Sequence, residues 1–180
     1  MRKLIESSLV SLDGVIGAPE RLAPHWDDEN KRFALSELAE FDAFLLGRVT
    51  YEMFASRWSG IRGDPYYDAI NGLPKYVASR TLGEPTWNAR LIQGEVAVEI
   101  AKLKQQPGKN LIKYGTSDLD RTLIQHKLID EFRFSIFPIV VGNGRHLFEG
   151  IDTSQLNLRL TDTKIFANGI VRLTYVPTYG

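Results

Sequence analysis

Cysteine is absent from the 180-residue chain, which excludes disulfides, thiolate metal sites and cysteine nucleophiles together. The chain has only three histidines, and His25, His126 and His146 are too far apart in sequence for a zinc-ligand spacing. No metal site is therefore predicted. A charge of one sign is also missing, because 22 basic and 22 acidic side chains balance. This balance argues against a nucleic-acid partner but allows a local basic pocket for one phosphorylated ligand.

Long apolar runs are missing as well. The longest is Ile136–Val141, which contains Pro138 and is far too short to span a membrane. Residues 1–14 place their apolar side chains as a short strand does and lack the apolar core of a signal peptide. We therefore expect a cytoplasmic protein with no membrane partner. The apolar share of 43% is typical of globular proteins, and the length suits one domain over residues 1–180.

Strand and helix patterns alternate along most of the chain, and the order predicts an α/β fold with three layers, α/β/α. The central sheet is expected to be mostly parallel, with an antiparallel C-terminal hairpin around Asn168-Gly169. The least regular segment is Trp58–Leu73, and a loop is expected around Gly17, Pro19 and Pro24. The predicted strands are Lys3–Leu12, Asp42–Leu46, Lys75–Ala78, Ala89–Ile92, Asn110–Tyr114, Glu131–Val141, Asn157–Phe166 and Ile170–Val176. The predicted helices begin at Asp28 (with Asp27 as N-cap), Gly47, Glu95 and Ser117.

The first candidate binding segment is Gly47-Arg48-Val49-Thr50, where a strand runs into a helix. Glycine lets the backbone approach a ligand closely, and the free N–H groups of a helix N-terminus attract anions. Arg48 and Thr50 would add a charge and a hydroxyl to a phosphate site. The alternative is an ordinary glycine turn in which Thr50 caps the helix and Arg48 is solvated.

Two further strand ends carry similar groups, and the carboxyl ends of strands form the binding crevice of an open α/β sheet. Ser79-Arg80-Thr81 offers two hydroxyls and a guanidinium, which suit a phosphomonoester such as the 2′-phosphate of NADP. Gly115-Thr116-Ser117 is a candidate pyrophosphate site. Each is also compatible with a plain polar loop, and Ser117 with Asp120 three residues later resembles a capping box.

A substrate site is predicted from four other residues. Trp26 could form an aromatic platform beside Asp28 and Glu29, which would suit a heteroaromatic ring. The alternative is that these acids stabilise the dipole of the helix they begin. Asp13, in Ser11-Leu12-Asp13-Gly14, is either a catalytic or ligand-binding carboxylate or part of an Asp-Gly turn.

Taken in order, these segments resemble the dihydrofolate reductase superfamily. They are most similar to stand-alone proteins of the kind represented by the C-terminal reductase domain of bifunctional riboflavin-biosynthesis deaminase-reductases. The resemblance covers nearly the whole chain. It rests on Ser11–Gly17, Leu46–Glu52, Ser79-Arg80, Gly115-Thr116, and Pro138–Gly144 with Leu147-Phe148.

The resemblance implies an NADPH-dependent reductase of a small heterocyclic substrate, pyrimidine- or pterin-like, that forms a homodimer. We expect Asp13 to position the substrate or relay a proton, for which the pKa of its carboxyl should be raised. The implied cofactor contacts at the pyrophosphate are Gly47, Arg48 and Thr50 with Gly115, Thr116 and Ser117. Ser79 and Arg80 are implied at the 2′-phosphate, where the residue pattern adds Thr81, and the backbone near Ile16 and Gly17 is implied at the nicotinamide carboxamide.

Departures from the family pattern leave the substrate open. Lys113 stands where the riboflavin reductases usually have an acidic substrate contact, and Phe54 stands where many have an acid. The position of the proton-donating acid of the folate enzymes is occupied by Lys31. The expected activity is that of a 5-amino-6-(5-phosphoribosylamino)uracil reductase, with a dihydrofolate reductase and a non-catalytic NADP(H)-binding protein as alternatives.

Overall fold

The computed structural model describes the backbone of residues 1–180 and every side chain except that of Pro19. The helices are α1 (Pro19–Leu22), α2 (Asp28–Leu38), α3 (Arg48–Trp58), α4 (Pro65–Gly72), α5 (Val96–Gln105) and α6 (Asp118–Gln125), with a 3-10 turn at Ala23–His25. The strands are β1 (Leu4–Ser11), β2 (Phe41–Gly47), β3 (Lys75–Ala78), β4 (Ala89–Leu91), β5 (Asn110–Tyr114), β6 (Glu131–Phe137), β7 (Leu156–Ile165) and β8 (Val171–Tyr179). Within the described chain, no helix has the length and apolar character needed to cross a membrane.

The strands form one sheet in the order β4-β3-β2-β5-β1-β6-β8-β7. Pairing is parallel from β4 to β6 and antiparallel from β6 through β8 to β7. The predicted mostly parallel sheet with an antiparallel C-terminal hairpin is therefore confirmed. The hairpin turns at Gly169, whose positive φ of 84° suits glycine.

Helices cover both faces of the sheet, as the alternation of strands and helices predicted. Side chains alternate along a strand, so Leu4 and Val10 of β1 face one layer while Ile5 faces the other. Leu4 and Val10 pack with Ile100 of α5 and Leu123 of α6. Ile5 packs on the opposite side with residues of α2, α3 and α4.

Helix α4 lies inside the segment that sequence patterns left irregular. Asp64 is its N-cap, and Oδ1 of this residue accepts hydrogen bonds from the N–H groups of Tyr66 (3.0 Å) and Tyr67 (3.3 Å). Pro65 occupies the first turn, where its missing N–H costs nothing. The helix has only eight residues, and such a short length hides its periodicity among the flanking glycines.

Strand β6 ends at Phe137, four residues before the predicted end at Val141. Pro138 is the physical reason, because proline has no N–H to donate to a neighbouring strand. The predicted loop before α2 contains the single helical turn α1 and the 3-10 turn. The predicted N-cap of α2 is confirmed, since the Asp27 carboxylate accepts the N–H of Asn30 at 3.0 Å.

Gly144 lets the loop after β6 lie directly against the loop after β1. Its φ is 133°, and a Cβ there would lie 2.8 Å from Cγ1 of Val15. We expect Gly144→Ala to lower the free energy of unfolding by about 2–4 kcal/mol, from backbone strain and overpacking combined. Gly142→Ala is the matched control: φ is 83° and no heavy atom lies within 4 Å, so only about 1–2 kcal/mol of strain is expected. Equal losses of unfolding free energy for the two variants, measured by urea denaturation, would contradict the close packing of Gly144 against Val15.

Candidate functional site

The carboxyl ends of β3, β2, β5 and β1 stand side by side in the sheet. Gly47 pairs with Ala78 in the register of β2 and β3, so Arg48 and Ser79 follow neighbouring strand ends. A Cβ on Gly47 would lie 3.7 Å from Oγ of Ser117, so α3 and α6 begin next to each other. The structure thus brings the three predicted anion-binding segments together at the carboxyl ends of the parallel strands.

The N-terminus of α3 is open. Gly47 is its N-cap and supplies no side chain to accept from the first-turn N–H groups. Thr50 lies inside the first turn, so the alternative in which Thr50 caps the helix is wrong. The Arg48 side chain is 46% exposed, and its only ion-pair contact among the described residues is Glu52 at 3.9 Å. Such a loose exposed pair contributes little and leaves the guanidinium available to an anion.

The segment after β3 forms a tight turn. Oγ of Ser79 accepts hydrogen bonds from the backbone N–H groups of Thr81 (3.2 Å) and Leu82 (2.9 Å). The side chains of Arg80 and Thr81 are exposed. The described side chains include no ion-pair partner for Arg80. The Ser79 turn therefore leaves this guanidinium exposed to solvent at the end of β3, the strand next to β2.

The segment after β5, residues 115–117, is fixed by hydrogen bonds to β1 and to the first turn of α6. Gly115 has a positive φ of 75°, which glycine adopts without strain, and its N–H donates to the carbonyl of Ser7 at 2.9 Å. The N–H of Ser117 donates to Oδ2 of Asp120 at 2.6 Å, so the predicted capping box is confirmed. The Thr116 hydroxyl is buried and faces Oε1 of Glu6 at 3.3 Å. Its hydroxyl thus points to the protein interior, and a ligand would meet the backbone of this loop.

Lys113 is buried beneath the same loop instead of facing a substrate. Nζ lies 2.6 Å from Oδ2 of Asp120, and both side chains are 1% exposed. The ammonium also donates to the carbonyl of Gly115. Glu6 stands beside Lys113 in the register of β1 and β5. Burial raises the pKa of Glu6 to about 7, although the nearby Lys113 lowers it.

The loop after β1 contains the residues expected at the nicotinamide. The N–H of Ile16 donates to the carbonyl of Arg145 at 2.8 Å and is therefore already engaged. Gly17 has a φ of 82°, and no atom lies within 4 Å of where its Cβ would be. The backbone of Gly17 is therefore the more open of the two.

Asp13 joins two loops. Its Oδ1 accepts from Oγ of Ser11 (2.6 Å) and the N–H of Val141 (3.1 Å), and its Oδ2 accepts from the N–H of Gly142 (2.8 Å). These donors, with Ser11 first, hold the pKa of Asp13 well below its usual range. A proton relay at neutral pH requires a raised pKa, so that expectation is not met. The contacts favour an anchoring role.

The anchoring role of Asp13 predicts a pH-dependent stability. A carboxyl whose pKa is depressed on folding stabilises the native state above its unfolded pKa, about 4, and this contribution is lost as the pH falls toward the native pKa. Asp13→Asn should therefore unfold at a lower temperature than the wild type at pH 6. The difference should shrink between pH 4 and pH 2, as thermal unfolding can show. A constant difference across this range would contradict the anchoring role.

The predicted substrate residues near α2 are not gathered in one pocket. The Trp26 ring stacks on Phe137 with centroids 6.2 Å apart, in an apolar cluster at the end of β6. Oε2 of Glu29 accepts the N–H of Ala167 at 3.3 Å, and Asp28 is exposed in the first turn of α2. Trp26 thus packs in an apolar cluster, and Glu29 binds the backbone of the turn between β7 and β8. The structure shows these contacts where an open aromatic platform was expected.

Two polar side-chain pairs that no sequence motif predicted lie near the N-terminal ends of α2 and α4. Nζ of Lys31 pairs with Oδ2 of Asp64 at 2.9 Å, so an acid from α4 stands beside the lysine. The hydroxyl of Tyr66 donates to that of Tyr114 at 3.4 Å. Burial raises the pKa of Tyr114 to about 12, so both phenols are neutral near pH 7. Both tyrosines also pack against the core cluster that contains Ile5.

The side chain of Arg172 in β8 lies between α2 and the face of the sheet that α2 covers. Nη1 donates to Oγ of Ser7 (3.1 Å) and of Ser135 (3.0 Å), and Nη2 lies 2.9 Å from both oxygens of Glu37. A cavity of about 240 Å³ adjoins this network, between α2 and the strands β6, β8 and β7. No motif joins these residues, because they come from four separate elements.

The architecture is that of the dihydrofolate reductases. The enzyme from Enterococcus faecalis, solved in complex with NADP(H), superimposes with a TM-score of 0.60 at 16% identity, covering 98% of this chain and 96% of that chain. The family model of the RibD C-terminal domain matches residues 2–172. The chain therefore belongs to the RibD C-terminal domain family.

Individual relatives agree with this assignment. The uncharacterized protein YyaP of Bacillus subtilis is 33% identical over 181 residues, covering 97% of this chain and 94% of YyaP. A candidate riboflavin biosynthesis protein from Shewanella sp. PV-4 has a TM-score of 0.77 at 23% identity, covering 98% of this chain and 99% of that chain. The diaminohydroxyphosphoribosylaminopyrimidine deaminase/5-amino-6-(5-phosphoribosylamino)uracil reductase of Thermotoga maritima has a TM-score of 0.69 at 14% identity, covering 98% of this chain and 57% of that chain.

Proposed function

We propose that the protein is an NADPH-dependent reductase of a small heterocyclic substrate related to the pyrimidines of riboflavin biosynthesis. The observation that carries the proposal is that three segments suited to bind anions follow the carboxyl ends of β2, β3 and β5. Family membership and the names of the relatives support a reductase. The presence of NADP(H) in the Enterococcus dihydrofolate reductase supports the cofactor.

The residues present fit a phosphorylated dinucleotide. Arg80 and the turn at Ser79 would hold the 2′-phosphate, since this guanidinium is exposed and without an ion-pair partner among the described side chains. The uncapped N-terminus of α3 and Arg48 would hold the pyrophosphate. Bound NADPH would supply the hydride, and the protein would position it and exclude water.

The substrate would lie on the side of the sheet covered by α2 and α4. Leu9 of β1 shares the face of Ile5 and is 38% exposed although its strand is central in the sheet. Its apolar side chain would form a floor for a flat ring, two residues beyond Ser7, which pairs with Tyr114 in the register of β1 and β5. The Lys31–Asp64 pair would offer polar groups to the ring edge.

The test is the loss of NADPH absorbance in the presence of defined substrates. Turnover of 5-amino-6-(5-phosphoribosylamino)uracil is expected, with little turnover of dihydrofolate because Lys31 stands where the folate enzymes have an acid. Fast reduction of dihydrofolate that methotrexate inhibits would instead identify a dihydrofolate reductase. Tight NADPH binding without turnover of either substrate would identify a non-catalytic binding protein.

A further inference from the structure

A buried carboxyl group lies directly beneath the loop formed by residues 115–117. Glu6 is on β1 and its side chain is fully buried. Oε1 accepts hydrogen bonds from Oγ of Ser8 at 2.5 Å and from Oγ1 of Thr116 at 3.3 Å. Thr116 belongs to the candidate phosphate-binding loop, so one hydrogen bond separates Glu6 from that loop.

The charged groups that act on Glu6 come from two elements. Lys113 lies beside it on β5, and Asp120 approaches from α6. The other side chains that contact its carboxylate, Ser8 and Thr116, are uncharged, and Phe132 is its neighbour on β6. Lys113 is already paired with Asp120 at 2.6 Å. With all three groups ionised, the cluster has one net negative charge, which lies below a loop expected to receive phosphate.

Two oxygens of this cluster have no hydrogen-bond partner among the described residues. They are Oε2 of Glu6 and Oδ1 of Asp120, and both are buried. An unpaired buried carboxylate oxygen is costly. A proton on Oε2 would remove the net charge and supply a donor where the cluster lacks one. Burial already raises the pKa of Glu6 to about 7, so this protonation is accessible near neutral pH.

We propose that Glu6 is a positioning residue for the loop of residues 115–117 and takes up a proton when that loop binds the phosphate groups of a dinucleotide. The inference rests on the proposed cofactor site and adds its regulation by pH. A like charge disfavours the ionised form of a carboxyl group, so a bound phosphate raises the pKa of Glu6 further. By linkage, protonated Glu6 favours the bound phosphate.

The expected effects are measurable. A rise of about one pH unit in the pKa of Glu6 on binding corresponds to uptake of about half a proton per site at pH 7.5. The same rise makes NADPH binding about threefold weaker at pH 8 than at pH 7. The 2′-phosphate of NADPH also titrates, near pH 6, so a variant lacking the carboxyl is needed for comparison.

The experiment is isothermal titration calorimetry of the whole chain with NADPH, and separately with inorganic pyrophosphate, in buffers of different ionisation enthalpy. Glu6→Gln keeps the size of the side chain and an acceptor for Ser8 and Thr116, and mimics the protonated form. It should bind NADPH with the same affinity at pH 7 and pH 8, apart from the titration of the ligand, and without the half-proton uptake. Glu99→Gln, a surface change on α5, should retain the wild-type uptake.

The outcomes separate the two proposals. Binding of NADPH without proton uptake by the wild type, or with equal uptake by Glu6→Gln, would overturn the role of Glu6 and leave the cofactor site standing. Whether the wild type takes up a proton on binding NADPH is decided without any variant, so the test does not depend on the folding of Glu6→Gln. Failure of both NADPH and pyrophosphate to bind would overturn both proposals.

Discussion

Replacing Arg80 by alanine is expected to weaken NADPH binding by about 10- to 100-fold and to leave NADH binding within about twofold of the wild type. The reason is that the 2′-phosphate, which only NADPH has, is the group assigned to Arg80. The guanidinium is exposed and has no ion-pair partner among the described side chains, so its removal should leave the fold unchanged. Calorimetric titration with the two cofactors measures the selectivity directly.

Arg159→Ala is the matched control for this change. Arg159 is exposed on β7, at the far edge of the sheet from β3, and its loss should leave the affinity for both cofactors unchanged. An equal loss for NADPH and NADH in Arg80→Ala would place this arginine at a part that both cofactors share. Unchanged NADPH affinity would contradict the assignment of the 2′-phosphate.

Replacing Asp120 by alanine is expected to lower the free energy of unfolding by about 3–5 kcal/mol. The change removes the hydrogen-bonded counterion of the buried Lys113, which leaves Glu6 as the carboxyl group beside it, and removes the acceptor of the Ser117 N–H group. Removing one partner of a buried ion pair is far more costly than removing an exposed pair. Urea denaturation with two independent probes measures the loss.

Asp118→Ala is the control, two residues earlier in the same helix. The Asp118 side chain is 88% exposed and pairs with Arg145 at 3.1 Å on the surface, so a loss below about 1 kcal/mol is expected. Similar losses for the two variants would contradict the buried pair. They would indicate instead a general effect of acids on the first turn of α6.

Much of the fold was predictable because local signals and tertiary structure agree. Asn110–Tyr114 is a strand over the predicted residues, since its apolar run ends at a glycine with positive φ. The capping residues Asp27 and Ser117 mark the starts of α2 and α6, where a side chain and a backbone group three residues apart satisfy each other. Such contacts are short in sequence and are visible without the fold.

The polar clusters were not predictable, because their members meet only through strand register. Glu6 and Lys113 are opposite each other only in the paired strands β1 and β5, and Asp120 joins them from α6. Lys113 could be identified from the sequence only as a departure from the family pattern. Its burial explains why this position contacts Asp120 instead of a substrate.

Asp13 shows how distant donors decide the role of a carboxylate. Its position in an Asp-Gly turn was compatible with catalysis or with a structural turn. The hydroxyl of Ser11, two residues away, lowers its pKa most, and the N–H groups of Val141 and Gly142, far along the chain, lower it further. Gly144 allows that loop to lie close to Val15 of the loop after β1, since a Cβ at this position would lie 2.8 Å from Cγ1 of Val15.

The measurement that tests the cofactor site most directly is thermal unfolding of the chain with NADPH and with NADH, each titrated to saturation. At a hundredfold excess over its dissociation constant, NADPH should stabilise the protein by about 2.7 kcal/mol, or about 5–11 °C for a chain of this size. A site containing Arg48 and Arg80 predicts this shift with NADPH and a much smaller one with NADH at the same concentrations. No shift with either cofactor, or equal shifts with both, would contradict it.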